Sequence, residues 1–257
     1  MDNRRNTGPR QLIAIAFRSK VSFNRSDRAT PKANQRLTPP PTSRWNLRRL
    51  ALQARLLATF RTSDRYWENR YRSGLTSGAG SFGSAAAFKA EVLNDFVRTN
   101  DVSSVIEFGC GDGNQLQHFQ FPLYLGLDVS RTAIDSCRER YRRDCMKSFL
   151  WYDPERTINA ANFLQADLTL SLDVVYHLVE DQVYSLYLQN LFSTARRFVI
   201  IYSSDNEDPS RVPHVRHRRF TEDVARDHGE FYLMKKIENR YPEESFCEFF
   251  IFARSAA

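Results

Sequence analysis

The residues Val105-Ile106-Glu107-Phe108-Gly109-Cys110-Gly111-Asp112-Gly113 decide how this 257-residue chain is read. A β-leaning run from Ser103 to Phe108 breaks into glycines at every second position. A short helical pattern then follows from Asn114 to Phe119. Strand, glycine-rich turn and helix start is the arrangement that brings backbone N–H groups against a ligand. Glycine suits such a turn because a Cβ would obstruct the close approach and disfavour positive φ. The next apolar run, Leu123 to Leu127, ends at Asp128. A carboxylate at the tip of a second strand can accept hydrogen bonds from both hydroxyls of a ribose.

Two cofactor readings compete for this turn. A dinucleotide fingerprint has the spacing G-x-G-x-x-G, whereas this turn reads G-x-G-x-G with Asn114 where the third glycine would fall. Glu107 also stands two positions before the first glycine. In these residues the chain resembles the class I S-adenosylmethionine (SAM)-dependent methyltransferases. Their first motif is an acid, one apolar residue, then G-x-G-x-G, and their ribose-binding acid falls on Asp128. The resemblance covers about residues 64–254. It implies an α/β domain on a seven-stranded, mostly parallel sheet with an antiparallel last strand and helices on both faces. SAM is the implied cofactor and methyl transfer the implied activity. Glu107 and the turn Gly109, Cys110, Gly111, Asp112 and Gly113 would hold the methionine end, and Asp128 the ribose. The end of the third strand, Lys147 to Tyr152, would add a polar group and an apolar wall for adenine. Asp153 and Trp151 or Tyr152 fall there, although Asp153-Pro154 suits a plain turn equally well.

The stretch from Asp167 to Leu178 is similar to the fourth strand of that family and its exit. Asp167 lies at the far end of the strand and reads as structural. Asp173, Tyr176 and His177 fall at the carboxyl edge, where ligands bind in open α/β sheets. His177 is the candidate proton acceptor near neutral pH, with Asp173 orienting it or the methyl acceptor. The loop after the fifth strand (Phe198 to Ser203) carries His214-Val215-Arg216-His217. His217 is the third candidate catalytic residue, and a solvated basic loop is the plain alternative. Zinc on His214 and His217 would lack a cysteine pair or a third ligand nearby, so no metal is expected.

Charge divides the chain. Of the net +7, residues 1–60 carry +11 and the remainder −4. Residues 1–44, with Pro39-Pro40-Pro41 and one short apolar run from Leu12 to Phe17, read as largely disordered. They could equally be an organellar presequence, a solvated tail or a membrane-surface arm. Apolar spacing from Trp45 to Phe60 permits a helix. Residues 1–60 are therefore expected as a basic extension and 61–257 as the methyltransferase domain. Trp67 and Tyr71 on a helix from Asp64 to Arg72, followed by a loop with four glycines between Gly74 and Gly83, read as a lid or as a linker. Helices are also expected over 85–97, 130–143 and 182–196, and closing strands over 231–238 and 246–253.

A small-molecule or glycan acceptor is favoured, because the basic residues lie outside the candidate catalytic domain. Residues 171–174 also lack the Asn/Asp-Pro-Pro-Tyr motif of enzymes that methylate nucleic-acid amino groups. The alternatives are a SAM-binding protein without catalysis, a nucleic-acid methyltransferase recruited through the basic tail, and an NAD-dependent oxidoreductase. No run approaches the ~20 apolar residues of a membrane span. The four cysteines form no C-x-x-C pair, which suggests reduced thiols and the cytoplasm.

Overall fold

The computed structural model describes residues 43–156 and 162–256. The expectations for residues 1–42, disorder included, lie outside these. The first helix, α1, spans Ser43–Ala58, and α2 spans Ser63–Arg72. Leu56 of α1 packs with Tyr66 and Leu75, and Leu52, Leu57, Phe60 and Trp67 complete that cluster. The boundary drawn at residue 60 thus falls just after a helix that backs α2. Next come α3 (Gly83–Thr99), β1 (Val105–Phe108), β2 (Tyr124–Asp128), α4 (Arg131–Arg140) and β3 (Lys147–Trp151). The second half holds β4 (Ala166–Leu172), α5 (Asp181–Ser193), β5 (Ala195–Ser203), α6 (Phe220–Asp227), β6 (Phe231–Ile237) and β7 (Glu248–Arg254).

The seven strands run in the order β3-β2-β1-β4-β5-β7-β6. All pairs from β3 to β5 are parallel, and β7 lies antiparallel between β5 and β6. The expected sheet is therefore present. Its central strands are buried on both faces, which suits their nearly unbroken apolar runs. In β5, Ile200 and Tyr202 face a cluster with Phe88, Leu93 and Phe96 of α3 and Ile134 of α4. Val199 and Ile201 face the opposite cluster with Leu188, Leu191 and Phe192 of α5 and Val224 of α6. The chain leaves β1 toward β2 and β3 on one side and continues through β4 and β5 on the other. That reversal between β1 and β4 opens the crevice in which open α/β sheets bind ligands.

Local chemistry explains the boundaries. Ser130 caps α4, its Oγ accepting from Ala133 N at 3.1 Å. Asp167 Oδ2 accepts from Ser103 N at 2.8 Å and from its hydroxyl, pinning the start of β4 to the start of β1. Helix α6 has no counterpart in the sequence reading. Its first turn is held by Asp205, sixteen residues upstream, which accepts from Thr221 N at 3.0 Å and Thr221 Oγ1 at 2.6 Å. A capping partner that remote leaves no local N-terminal signature. Among the described residues no helix is long and apolar enough to cross a membrane.

Candidate functional site

The glycine turn after β1 has φ of +83° at Gly109 and +58° at Gly111. A Cβ on Gly109 would run into Val174, and one on Gly111 into Ser77. The turn is stitched to the tip of β2: Gly109 N and Cys110 N both donate to Leu127 O, at 2.7 and 3.0 Å. Gly111 N donates to Asp128 Oδ2 at 2.8 Å and Asp112 N to Ser77 Oγ at 3.2 Å. Gly113 N reaches Cys110 O at 3.3 Å and Asn114 N reaches Asp112 Oδ1 at 3.0 Å. This corrects the expectation that the turn offers its backbone N–H groups to a ligand. From residue 109 to 114 each of them already has a partner inside the protein.

Asp128 is buried on the wall of a cavity of about 1110 Å³, together with Glu107, Gly109, Cys110, Gly111 and Asp112. Its Oδ1 accepts from Ser130 N and its Oδ2 from Gly111 N, both at 2.8 Å. Each carboxylate oxygen keeps a further acceptor direction. Burial pushes the carboxyl up to about 6, against the pull of the two backbone donors. Glu107 is buried too and accepts from Tyr124 OH at 2.5 Å. Burial raises it to about 7, with that hydrogen bond opposing. The Cys137 thiol and burial together raise the Cys110 thiol. Gly113 is absent from the cavity wall and packs against Cys137 and Tyr141.

Asp112 faces a lid. Its carboxylate accepts from Ser77 Oγ at 3.0 Å and Ser77 N at 3.3 Å. Tyr71 of α2 shares a 3.0 Å hydrogen bond with the same Ser77 hydroxyl. Helix α2 is fixed at both wings of the sheet. Glu68 accepts from Ser130 Oγ at 2.7 Å and Thr132 Oγ1 at 2.8 Å, at the start of α4. Ser63 donates to His177 O and to Glu180 Oε2, each at 2.7 Å, between β4 and α5. The helix and loop therefore roof the carboxyl edge of β1, β2 and β4.

At the β3 end, Asp153 lines the cavity, but its Oδ1 accepts from Glu155 N at 3.1 Å and Arg156 lies 3.4 Å from Oδ2. Its carboxylate closes the turn, the plainer of the two sequence readings. Trp151 donates to Val129 O at 2.9 Å, and Arg131 sits 3.9 Å above its ring. Tyr152 is buried, its hydroxyl accepting from Asn190 Nδ2 at 2.9 Å.

On the β4 side, Asp173 has a left-handed backbone, φ +60°. Its carboxylate pairs with the fully buried Lys89 of α3 and accepts from Tyr176 OH at 3.2 Å. Neither printed contact is to His177, so the pairing of Asp173 with that ring expected from sequence is replaced by Lys89. His177 Nδ1 lies 2.9 Å from His214 O. A carbonyl only accepts, so Nδ1 carries the hydrogen and Nε2 keeps a lone pair. Burial lowers the imidazole to about 4. His177 is thus a neutral hydrogen-bond acceptor at pH 7, which corrects the reading of it as a group titrating near neutrality. His214 stacks on Tyr66 at 4.4 Å and on His177 at 5.3 Å, and burial lowers it to about 4 as well. His217 is not brought into the cavity: its Nδ1 bonds Ser204 Oγ at 2.7 Å, and its ring lies behind Tyr176 and Phe246. Among the described residues no three or more His, Cys, Asp or Glu side chains gather as a metal site.

Sequence reading missed Ser63, Glu68, Ser77 and Lys89. The first three act through contacts 35 to 117 residues distant in the chain. A lysine on an amphipathic helix ordinarily reads as solvent-exposed, which hid Lys89.

These features fit a nucleoside cofactor with a charged tail. Asp128 retains acceptor capacity, the Gln115 side-chain amide nitrogen is buried without a partner, and both residues line the cavity. The volume exceeds the roughly 300–1,000 Å³ of ordinary small-ligand sites, which leaves room for a second reactant. No protein-family model matches the chain, and no curated protein matches its sequence. Solved structures match its fold. The N-methyltransferase NodS of Bradyrhizobium japonicum WM9, in complex with S-adenosyl-L-homocysteine (SAH), aligns with a TM-score of 0.58 at 13% identity, covering 76% of this chain and 100% of that one. Magnesium protoporphyrin IX methyltransferase (ChlM) of Synechocystis PCC 6803, with bound SAM, gives 0.55 at 14% identity over 77% and 99%. SAM-bound CalS10, an amino pentose methyltransferase of Micromonospora echinaspora, gives 0.53 at 13% over 68% and 94%. The fold is that of the class I SAM-dependent methyltransferases.

Proposed function

We propose that the protein transfers a methyl group from SAM to a small-molecule or glycan acceptor. One observation carries this reading: the glycine turn, Asp128 and the acceptor-side groups Asp173, Tyr176, His177 and His214 all line one cavity under one lid. Asp128 would accept hydrogen bonds from the ribose hydroxyls. Val129, Trp151 and Tyr152 supply a wall for the adenine. Glu107, at the cavity floor, places a carboxylate opposite the cofactor's amino group. SAM would supply a methyl group on a positively charged sulfur, electrophilic enough that alignment of the nucleophile is the main task left.

That alignment falls to the β4 side. His177 Nε2 can accept a hydrogen bond from an O–H or N–H of the acceptor and so turn its lone pair toward the methyl group. Lys89 holds Asp173 in place beside it. Helix α2 and Ser77 keep water from the reacting groups. The protoporphyrin and amino pentose enzymes with this fold are named for small-molecule acceptors, in agreement with the reading. The domain from residue 61 onward carries a net negative charge, which disfavours a nucleic-acid acceptor. The four cysteines are unpaired, in keeping with a cytoplasmic setting. The test is incubation of the protein with SAM and fractionated acceptor pools while SAH release is measured. SAM binding without SAH release from any pool would point to a non-catalytic SAM-binding protein.

A further inference from the structure

The glycine turn is saturated. Gly109, Cys110, Gly111, Asp112, Gly113 and Asn114 all spend their backbone N–H groups on Leu127, Asp128, Ser77, Cys110 and Asp112. An anionic group arriving at this turn finds none of the amide donors that glycine-rich turns ordinarily present. The next residue supplies a different one. Gln115 opens the single turn of 3-10 helix, Gln115–His118, that follows the glycines. Its side-chain nitrogen is buried, has no hydrogen-bond partner, and belongs to the wall of the cavity. A buried donor left unpaired costs roughly 1–3 kcal/mol, so its retention here points to a ligand atom that pairs with it. The other donor to weigh is Arg70, a buried guanidinium on the same wall. It is committed to Thr76 O at 2.7 Å and to Tyr66 OH at 3.5 Å.

We infer that the Gln115 side chain, in place of the backbone of the glycine turn, is the donor that binds the carboxylate of the cofactor's amino-acid end. This rests on the methyltransferase reading and deepens it. SAM has one anionic group, its carboxylate, and an amide N–H is a neutral donor able to form a charge-assisted bond to it. Selectivity follows. The Gln115 contact distinguishes nucleosides that carry the carboxylate from those that lack it, while Asp128 recognises both through the ribose.

The experiment compares SAM with decarboxylated SAM, which keeps the adenosine, sulfonium and amino group and lacks only the carboxylate. Calorimetry on the full chain should show wild type binding SAM more tightly than the decarboxylated compound. Gln115→Leu should weaken SAM by about ten- to a hundredfold and leave decarboxylated SAM within about twofold. Gln115→Glu sets a second anion against the carboxylate, and should weaken SAM further without weakening the decarboxylated compound. The decarboxylated compound also reports folding: a variant that loses both ligands alike has lost the site, and that result in both variants overturns the inference. Equal SAM affinity in wild type and Gln115→Leu overturns it while the methyltransferase reading stands. So does a result in which Arg70→Met, and not Gln115→Leu, abolishes the discrimination. Wild type that binds neither compound overturns the methyltransferase reading and this inference together.

Discussion

Replacing Asp128 by Asn separates the charge of this side chain from its shape. In the wild type both oxygens already accept backbone hydrogen bonds at 2.8 Å, from Ser130 and Gly111, and the remaining lone pairs face the cavity. An amide retains one acceptor oxygen and turns an NH₂ group toward the other backbone donor. The variant therefore loses one internal bond and, on the proposed reading, one bond to a ribose hydroxyl. Hydrogen bonds to a charged group are worth roughly 1.5–3 kcal/mol, so SAM and SAH affinity should both fall about ten- to a hundredfold. The internal loss should appear separately, as a lower Tm of the unliganded protein. The raised carboxyl adds a pH signature. With a value of about 6 in the free protein, Asp128 is mostly ionised at pH 7 and mostly protonated at pH 5. If ribose binding draws on the ionised form, wild-type affinity should weaken by about tenfold from pH 7 to pH 5, and the Asn variant should lack that step. Calorimetry with SAH across this range measures both effects. An Asn variant that binds SAH as tightly as wild type, or the same pH step in both proteins, would refute the assignment of Asp128 to the ribose.

Three further outcomes follow from the same structure. Glu107 is raised to about 7 from an ordinary 4.5, so its contribution to stability is present at low pH and lost as pH rises through 7; Glu107→Gln should remove a stability loss on the order of 3 kcal/mol between pH 5 and pH 8, read by urea denaturation. His177 is lowered to about 4, so stability associated with it falls as pH drops below 6.5 toward 4; its ring resonances in a nitrogen-detected NMR titration should stay those of neutral imidazole down to about pH 5, and a midpoint near 6.5 would contradict the burial described. A chain beginning at Ser43 should retain SAM affinity, whereas one beginning at Ser63 loses Leu52, Leu56 and Leu57 behind α2; burial of aliphatic side chains is worth roughly 1.5–3 kcal/mol each, so the shorter chain should show faster hydrogen exchange across 63–82 and weaker binding.

The sheet was legible because each of its strands is an apolar run bounded by turn residues, and because the acid, the three glycines and Asp128 occur in a fixed order. The cofactor half of the site follows directly from that order, since β1 and β2 are neighbours and their tips meet. The acceptor half was legible only in part. Asp173 and His177 were found because they follow β4, but their partners, Lys89 and the His214 carbonyl, come from elsewhere in the fold. His217 was chosen for its loop, and three residues of loop were enough to turn it behind Tyr176 while His214 faces inward. Protonation was not legible at all: an imidazole in sequence carries its ordinary value, and only packing against Trp67 and His214 shows how dry its surroundings are.

Helix α2 has a consequence for the order of events. It is tied to the start of α4 through Glu68 and to the segment between β4 and α5 through Ser63. One rigid bar therefore closes both compartments, although the proposed cofactor and acceptor would touch different strands. Whichever molecule enters first and stiffens the bar has already met part of the ordering entropy that the second would otherwise face. Affinities measured separately should then understate those measured together, by the same factor whichever ligand is titrated last. The wall common to both compartments makes a thermodynamic link between two molecules that need share no contact with each other.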